Sequence, residues 1–264
     1  MSLIRKPQFS DAFYPADPIR LEKMVEQFLN QANIAKSKEK IRALIVPHAG
    51  YIYSGPVAAY GYKMIRDFSY SKVILIGPSH HFSFEGLAIY PKGEWETPLG
   101  KVKTLSLSEL DIKNNHFFES EDIHQPEHCL EVQLPFLQKT LNNFQISPIL
   151  MQTAPKKTGE ILNNILDKET LLIVSSDLSH YLPYSEAKIV DKVTLDAILA
   201  NDPERFENYG EACGKIPIKI LLEISFKNKW QPKLLCYLNS GDTSGDKQAV
   251  VGYAALSFFE KRAS

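Results

Sequence analysis

Short runs of consecutive apolar residues alternate along the chain with longer stretches in which apolar residues recur every three or four positions. The short runs cover residues 43–46, 73–76 and 171–174, and their β-branched, continuously apolar character is typical of strands buried on both faces. A first helix is predicted from Asp17, where an Asp-Pro pair supplies an N-cap and a first-turn proline. Further helical periodicity covers residues 56–68, 130–141, 158–166, 185–200 and 217–226.

Strands that alternate with helices predict an α/β layered fold, in which helices flank a mostly parallel central sheet. The end of the chain differs, because the strand-like runs 233–238 and 250–258 are separated by the polar segment 239–247 with no helix between them. An antiparallel pair is expected there, which makes the sheet mixed. No internal repeat, low-complexity segment or linker divides the sequence, so we predict one domain over residues 1–264.

Composition and charge exclude several classes of protein. Hydrophobic residues make up 44% of the chain and charged residues 23%, and 30 basic against 31 acidic side chains leave a net charge of -1. That balance offers no cationic surface for nucleic acid or anionic lipid, so neither is predicted as a partner. The longest nearly apolar stretch, residues 249–259, is shorter than the roughly 18–20 residues that a membrane span needs. No apolar run follows Arg5 and Lys6, as a secretory signal requires, and we expect a cytoplasmic protein.

The three predicted buried strands run directly into loops that carry histidine. IVPHAG contains His48, LIGPSHH contains His80 and His81, and IVSSDLSH contains Asp177 and His180. Because the carboxyl ends of parallel strands meet at one edge of a sheet, we expect these side chains to lie close together. Imidazole is a common metal ligand and a general base near neutral pH. The sequence therefore predicts a metal or acid–base site, in which Asp177 either orients or charge-stabilises His180 or caps the following turn.

The three cysteines have no C-x-x-C spacing, so neither a disulfide framework nor a zinc ribbon is indicated. Cys213 comes just before a predicted helix whose first N–H groups would favour a thiolate, which makes it a candidate metal ligand or nucleophile. A small buried hydrophobic residue is the alternative interpretation of Cys213, and it is the preferred interpretation of Cys129 and Cys236.

The segment 109–131 holds seven carboxylates and is expected to be mostly a solvated acidic surface. Residues 127–137 are the exception, because Glu127 and His128 come just before an apolar helix and can reach a site at its N-terminus. Tyr51 and Tyr53 alternate beside the first histidine loop, and either both line a cleft or both pack beneath the loop. The sequence contains no common nucleotide-binding or hydrolase motif.

Five of these motifs, in this order, resemble the blocks of the Memo-like protein family, and the resemblance runs over nearly the whole chain. The blocks are PHAGYIYSG at 47–55, GPSHH at 77–81, EHCLEVQLPFL at 127–137, SSDLSH at 175–180 and CGKIPI at 213–218. FYP at 13–15 and TPLG at 97–100 are similar to lesser blocks of microbial members, the type called AmmeMemoRadiSam system protein B. That name implies a functional association with a radical-SAM protein.

The family's fold resembles that of class III extradiol dioxygenases, non-haem iron enzymes that open catechol-type rings. The resemblance implies that His48 and His80 are metal ligands, that His180 is an active-site histidine, and that Asp177 and Cys213 complete the pocket. Extradiol enzymes hold Fe(II) with two histidines and a carboxylate, whereas the third matching position here is Cys213. A thiolate is a softer ligand, so we expect one divalent or redox metal, with iron first and copper or zinc as alternatives.

The leading hypothesis is therefore a metal-binding protein with a dioxygenase-like pocket, in which His48, His80 and Cys213 hold the metal and Asp177 and His180 act beside it toward an unknown small molecule. If the protein is an enzyme, the expected class is a metal-dependent, dioxygenase-like oxidoreductase. His81, Tyr53, Glu127 and His128 are expected to line its pocket. The alternative is a non-catalytic module that uses the same pocket to bind a peptide or a protein. A third hypothesis makes Cys213 a nucleophile paired with His48 or His180.

Overall fold

The computed structural model describes residues 3–105 and 116–260. Its elements follow one another as β1 Leu3–Arg5, α1 Pro18–Gln31, β2 Ile41–Val46, α2 Tyr51–Ile65, β3 Lys72–Pro78, β4 Leu87–Ile89, β5 Gly93–Thr97, β6 Gly100–Lys103, β7 Phe117–Glu119, α3 Glu121–His124, a 3-10 turn Glu131–Gln133, α4 Leu134–Thr140, β8 Gln145–Met151, α5 Thr158–Ile165, β9 Thr170–Ser175, β10 His180–Leu182, α6 Tyr184–Leu199, α7 Pro203–Tyr209, α8 Lys215–Asn228, β11 Trp230–Asn239, α9 Ser240–Ser244 and β12 Val250–Glu260.

The centre of the main sheet is parallel. Strands β2, β9, β3 and β8 lie side by side in that order, and each neighbouring pair is parallel. Antiparallel strands extend this centre on both sides, because β12 pairs with β2 and β4 pairs with β8. Strands β10 and β11 pair antiparallel with β12, and β1, β5 and β6 form a separate small sheet. The predicted mixed α/β layered fold is confirmed, and so is the antiparallel pair at the end of the chain.

The continuous apolar runs are explained by the two layers of helices that cover the sheet. In β2, Leu44 and Val46 face one core and Ala43 and Ile45 face the other, because successive side chains of a strand point to opposite faces. Helices α1, α2 and α4 contribute to the first core. Helices α5 to α8 contribute to the second. Both faces of the central strands are therefore buried, as the sequence pattern indicated.

The start of α1 was predicted from the side chain that caps it. Asp17 accepts a hydrogen bond from the backbone N–H of Arg20 over 2.8 Å, and α1 begins at the following proline. Helix α7, which the sequence analysis missed, begins in the same way, because Asp202 accepts from the N–H of Arg205 over 2.9 Å. Strand β8 was also missed, since Pro148 interrupts its apolar pattern.

One predicted helix boundary is wrong, and so is one segment that was expected to lack a helix. Helix α2 begins at Tyr51 rather than at residue 56, so Pro56 lies inside the helix and Gly50 occupies the N-cap without a side-chain hydrogen bond. The segment expected to lack a helix contains α9, which Asn239 starts by accepting from the N–H of Gly241. Among the described residues, no helix has both the length and the apolar character that crossing a membrane requires.

Candidate metal centre

The loops after β2, β3 and β9 meet at one edge of the sheet. The register of the parallel strands places Val46 beside Ser175, so the loops that carry His48 and His80 leave the sheet at the same level as the loop that begins after β9. Cys213 reaches this edge from the loop before α8. One donor atom each of His48, His80 and Cys213 lies within 4.8 Å of the other two. The sequence prediction that these three side chains converge agrees with this geometry.

A network of hydrogen bonds fixes which nitrogen of His48 faces the cluster. Ser175 has a single hydroxyl proton and donates it to the carbonyl oxygen of Cys129 over 2.6 Å. The side-chain amide of Gln133 donates to Oγ of Ser175 over 2.7 Å. Because the only hydroxyl proton is already donated to Cys129, Oγ of Ser175 can only accept in its 2.9 Å contact with Nδ1 of His48. Nδ1 therefore carries the proton, and Nε2 presents a lone pair. Burial and the nearby His80 lower the pKa of His48 to about 3, which keeps the ring neutral.

Glu127 orients His80 in the same way. Its Oε1 accepts from Nδ1 of His80 over 2.9 Å, and its Oε2 accepts from the backbone N–H of the same residue over 2.8 Å. Burial raises the pKa of Glu127, but the hydrogen bonds and charge of His80 outweigh it and lower the pKa to about 2. The carboxylate is therefore ionised, and Nε2 of His80 is left as the nitrogen available to a ligand.

Cys213 places its sulfur against the first imidazole. The distance from Sγ to Nε2 of His48 is 3.3 Å, and the backbone N–H of Asp177 donates to the sulfur over 3.2 Å. Burial raises the pKa of the thiol to about 12, and the charge of Asp177 adds to the effect. The N–H of Gly214, at the N-cap of α8, lowers the pKa of the thiol as the sequence indicated, but desolvation outweighs this effect. A cation bound here would supply the charge that a thiolate needs.

Asp177 holds the first histidine loop rather than a turn of its own. Its Oδ1 accepts from the backbone N–H of His48 over 2.7 Å, and the N–H of Ala49 is a further donor. Burial raises the pKa of Asp177 to about 6, and the charge of His180 opposes that rise. The carboxylate spans two loops, and its hydrogen bond to the His48 loop is a role that the sequence analysis did not foresee.

The remaining predicted residues surround the cluster at different depths. His180 begins β10, half-buried, opposite Val251 of β12. His81 is exposed and belongs to neither group of candidate metal donors among the described residues. His128 packs its ring against His48 and His80, with centroids 5.3 Å and 5.1 Å apart.

Tyr51 and Tyr53, which follow the first histidine loop, do not share one environment. Tyr51 is buried and donates to the carbonyl oxygen of Val132, whereas Tyr53 is 38% exposed and lines a cavity with Phe13. They diverge because both lie in a helix, where residues two apart point in nearly opposite directions.

Several buried polar residues that support the site were missed. Ser175 ends an apolar strand, and Gln133 interrupts an apolar helical stretch, and such polar positions in apolar runs are the signal that was available. Glu131, to which the sequence assigned no role, is fully buried and forms an ion pair with Arg5. Residues 109–115 of the acidic segment lie outside the described residues.

Comparisons with known proteins agree with the sequence blocks. A family model for Memo-like proteins matches residues 5–257. A MEMO1 family protein of Nitrosopumilus maritimus is 35% identical over 275 residues, which cover 97% of this chain and 100% of that protein. A MEMO1 family protein of Sulfolobus acidocaldarius is 36% identical over 282 residues, which cover 97% and 99%.

One solved structure shows likeness of fold alone. The uncharacterized protein JW3007 from Escherichia coli K12 has a TM-score of 0.51 and 11% identity, over 83% of this chain and 99% of that chain. The family match over most of the chain and the full-length relatives carry the assignment. The chain belongs to the Memo-like protein family.

Proposed function

We propose that this protein binds one transition-metal cation through Nε2 of His48, Nε2 of His80 and Sγ of Cys213. The observation that carries the proposal is the matched support of the two imidazoles. Each has Nδ1 against an acceptor oxygen, Ser175 Oγ in one case and Glu127 Oε1 in the other, at 2.9 Å. Metal-binding histidines in proteins are held by hydrogen bonds of this kind.

The donor set fits a metal that takes part in chemistry. Bonds of about 2.0–2.3 Å place neighbouring donor atoms roughly 3.3–3.8 Å apart, and the three donor atoms here lie within 4.8 Å of one another. Three protein ligands leave a coordination position open for a small molecule, whereas purely structural zinc sites use four. Two imidazoles and a thiolate suit iron, copper and zinc, and we put iron first because the family resembles non-haem iron dioxygenases.

Residues of the chain supply the rest of the proposed oxidoreductase site. The bound metal would provide a Lewis-acidic or redox centre with an open position. His180, within charge-interaction range of Asp177 and His48, is the group that we assign to proton transfer toward a bound small molecule. The floor of the site is buried at His48, while the side chain of His80 is 30% exposed, so a ligand approaches from the His80 side.

Metal content measured on matched variants tests this proposal. We expect protein purified without chelator to contain close to one equivalent of iron, copper or zinc, and the His80→Gln variant to lose it. His81→Gln is the matched control, because the neighbouring imidazole is exposed and lies in neither donor group within the described residues. Equal metal content in the two variants would overturn the ligand assignment.

A non-catalytic recognition module is the second candidate, and the rim of the site favours it. An exposed large apolar side chain comes shortly after a histidine in each of the three segments, namely Tyr53 at 38%, Phe82 at 43% and Tyr181 at 76% exposure. Such a rim suits a ligand with apolar surface, whether an aromatic small molecule or a peptide. Oxygen consumption with a catechol, lost in His180→Gln, would exclude this candidate. Association with a radical-SAM protein stays a prediction from the resemblance.

A further inference from the structure

Two imidazoles converge on one carboxylate oxygen beside the proposed metal centre. Nδ1 of His80 lies 2.9 Å from Oε1 of Glu127, and Nδ1 of His128 lies 3.4 Å from the same oxygen. The two rings are stacked, with centroids 5.1 Å apart and planes 19° apart. One donor atom of each of the three residues lies within 4.8 Å of the other two. This second group shares only His80 with the first.

The imidazole of His128 is held in place by packing, and not by hydrogen bonds of its ring nitrogens within the described residues. Within residues 3–105 and 116–260, no group makes a hydrogen bond to either of its ring nitrogens, and its contact with Glu127 is an ion pair only if the ring is protonated. Phe13 and Phe9 pack against the ring at centroid distances of 4.5 Å and 5.6 Å. The side chain is 18% exposed, so a cation has access to it.

The segment that packs on His128 is itself anchored. Glu131 accepts hydrogen bonds from the backbone N–H groups of Gln8 and Phe9 over 3.0 Å and 2.9 Å, and from the hydroxyl of Tyr14 over 2.6 Å. These bonds fix the chain on both sides of Phe13. The His128 ring is therefore held in a fixed orientation. An imidazole that is fixed beside a carboxylate and makes no hydrogen bond of its own is a candidate ligand for a cation.

We propose that His80, Glu127 and His128 form a second, alternative cation site of the two-histidine, one-carboxylate type. Its donors are the set that non-haem Fe(II) sites use, and they also suit zinc and cobalt. The proposed function places the cation against the thiolate of Cys213 instead. The new proposal goes beyond it and depends on it only through the shared His80.

The two nitrogens of His80 let one ring serve either site. In the first site Nε2 binds the metal and Nδ1 donates to Glu127. In the second, the proton moves from Nδ1 to Nε2, so Nδ1 binds the metal and no proton is lost from the ring. Oε1 of Glu127 keeps its bonds from the N–H groups of His128 and Cys129, at 3.0 Å and 3.2 Å, so the carboxylate stays in position.

Cobalt binding to a variant without the thiolate tests the second site. In the wild type we expect Co²⁺ to give a sulfur-to-cobalt charge-transfer band, which reports the first site. In Cys213→Ser we expect that band to disappear while one equivalent of Co²⁺ still binds with ligand-field bands alone. Adding His128→Gln to Cys213→Ser should abolish the binding. Adding His48→Gln to Cys213→Ser, the matched control, should leave it unchanged.

The proposal is overturned if Co²⁺ binding depends on these residues in any other way. Absence of Co²⁺ binding in Cys213→Ser, or binding that needs His48 but not His128, would exclude the second site. NMR of ¹⁵N-labelled histidine keeps the test open if a double variant does not fold, because Zn²⁺ added to Cys213→Ser must shift the His128 resonances. Unshifted His128 resonances would also exclude the site. A wild type without the charge-transfer band would refute the first site and leave the second to be judged by these variants.

Discussion

Nδ1 of His48 donates to the hydroxyl of Ser175, a residue 127 positions further along the chain, over 2.9 Å. The two residues stand at the ends of neighbouring parallel strands, so the contact is made by the sheet and not by a local loop. Because the hydroxyl proton is committed to the carbonyl of Cys129, the serine accepts from the imidazole and holds its Nε2 toward the sulfur of Cys213. A buried serine thus decides which nitrogen of the proposed ligand faces the metal.

Replacing Ser175 tests the orientation of the His48 imidazole without removing the imidazole. We expect Ser175→Ala to lower metal affinity by about 10–100-fold, the usual effect of removing a group that orients a metal-bound histidine, while the protein stays folded. Isothermal titration with Zn²⁺ measures the change. Ser257→Ala is the control, because Ser257 is also fully buried but its hydroxyl has no hydrogen-bond partner in the described structure. Equal losses of affinity in both variants would contradict the assigned role.

Metal binding should release protons in a pattern set by the ligands. His48 is already neutral because burial lowers its pKa to about 3, whereas burial raises the pKa of the Cys213 thiol to about 12. Burial alone would lower the pKa of His80, but Glu127 raises it above its usual value, so this ring loses its proton only as the pH passes that raised pKa. Above that pH we expect metal binding to release about one proton, from the thiol, and the affinity to rise about tenfold per pH unit. As the pH falls below it, we expect the release to grow toward two protons, because His80 must then lose one as well.

Calorimetry in buffers of different ionisation enthalpy measures this proton count. Cys213→Ser serves as the comparison, because it removes the thiol that supplies the proton at higher pH. Release of no proton by the wild type above neutral pH would contradict thiolate ligation.

The sequence predicted that the side chains of the proposed ligands converge, because their positions follow from a rule about sheets. His48 and His80 each come directly after a buried strand, and carboxyl ends of parallel strands share an edge. Cys213 was identified from its place before a helix and from the family blocks. The groups that orient the ligands were not predictable in this way. Ser175 and Gln133 act through hydrogen bonds to residues far away in the chain, and local periodicity carries no information about such partners.

The charge states also depended on tertiary structure. The N-terminus of a helix favours a thiolate at an exposed site, but the burial of Cys213 has the larger and opposite effect on its pKa. Tyr51 and Tyr53 were misjudged because the helix start was placed five residues too late, at Pro56, and alternation was read along a segment that is helical. In each case the deciding quantity was burial or a boundary that only the folded chain defines.

The buried ion pair of Arg5 and Glu131 should carry much of the stability around the site. Arg5 also donates to the carbonyl oxygens of His124 and Glu127, at 3.1 Å and 2.9 Å. We expect Arg5→Leu to lower the free energy of unfolding by about 3–5 kcal/mol, because it leaves a buried carboxylate without its counter-charge. Urea denaturation followed by circular dichroism measures the loss.

The neighbouring cation is the matched control for that change. Lys6 is 63% exposed and pairs with Glu96 at the surface, where solvent screens the charges. We expect Lys6→Leu to leave the midpoint of denaturation nearly unchanged. Similar shifts in both variants would show that the buried pair has no special role.

The glycine after the cysteine should be required for the position of the sulfur. A Cβ added at Gly214 would lie 2.6 Å from Cβ and 2.7 Å from Oγ of Ser176, and 3.2 Å from the carbonyl oxygen of Ser175. The loop must therefore move away from the end of β9, which carries Cys213 away from the two imidazoles. We expect Gly214→Ala to weaken Zn²⁺ binding and to diminish the sulfur-to-cobalt band.

Gly50→Ala is the control for this last change, because it adds the same methyl group to another loop of the site. A Cβ there meets its nearest atoms at 3.8 Å, which is ordinary contact, so the loop of His48 has no reason to move. We expect its Zn²⁺ affinity and cobalt spectrum to match the wild type. If Gly214→Ala also matched the wild type, the sulfur would tolerate displacement, and close packing of Gly214 against Ser176 would not be what positions the third ligand.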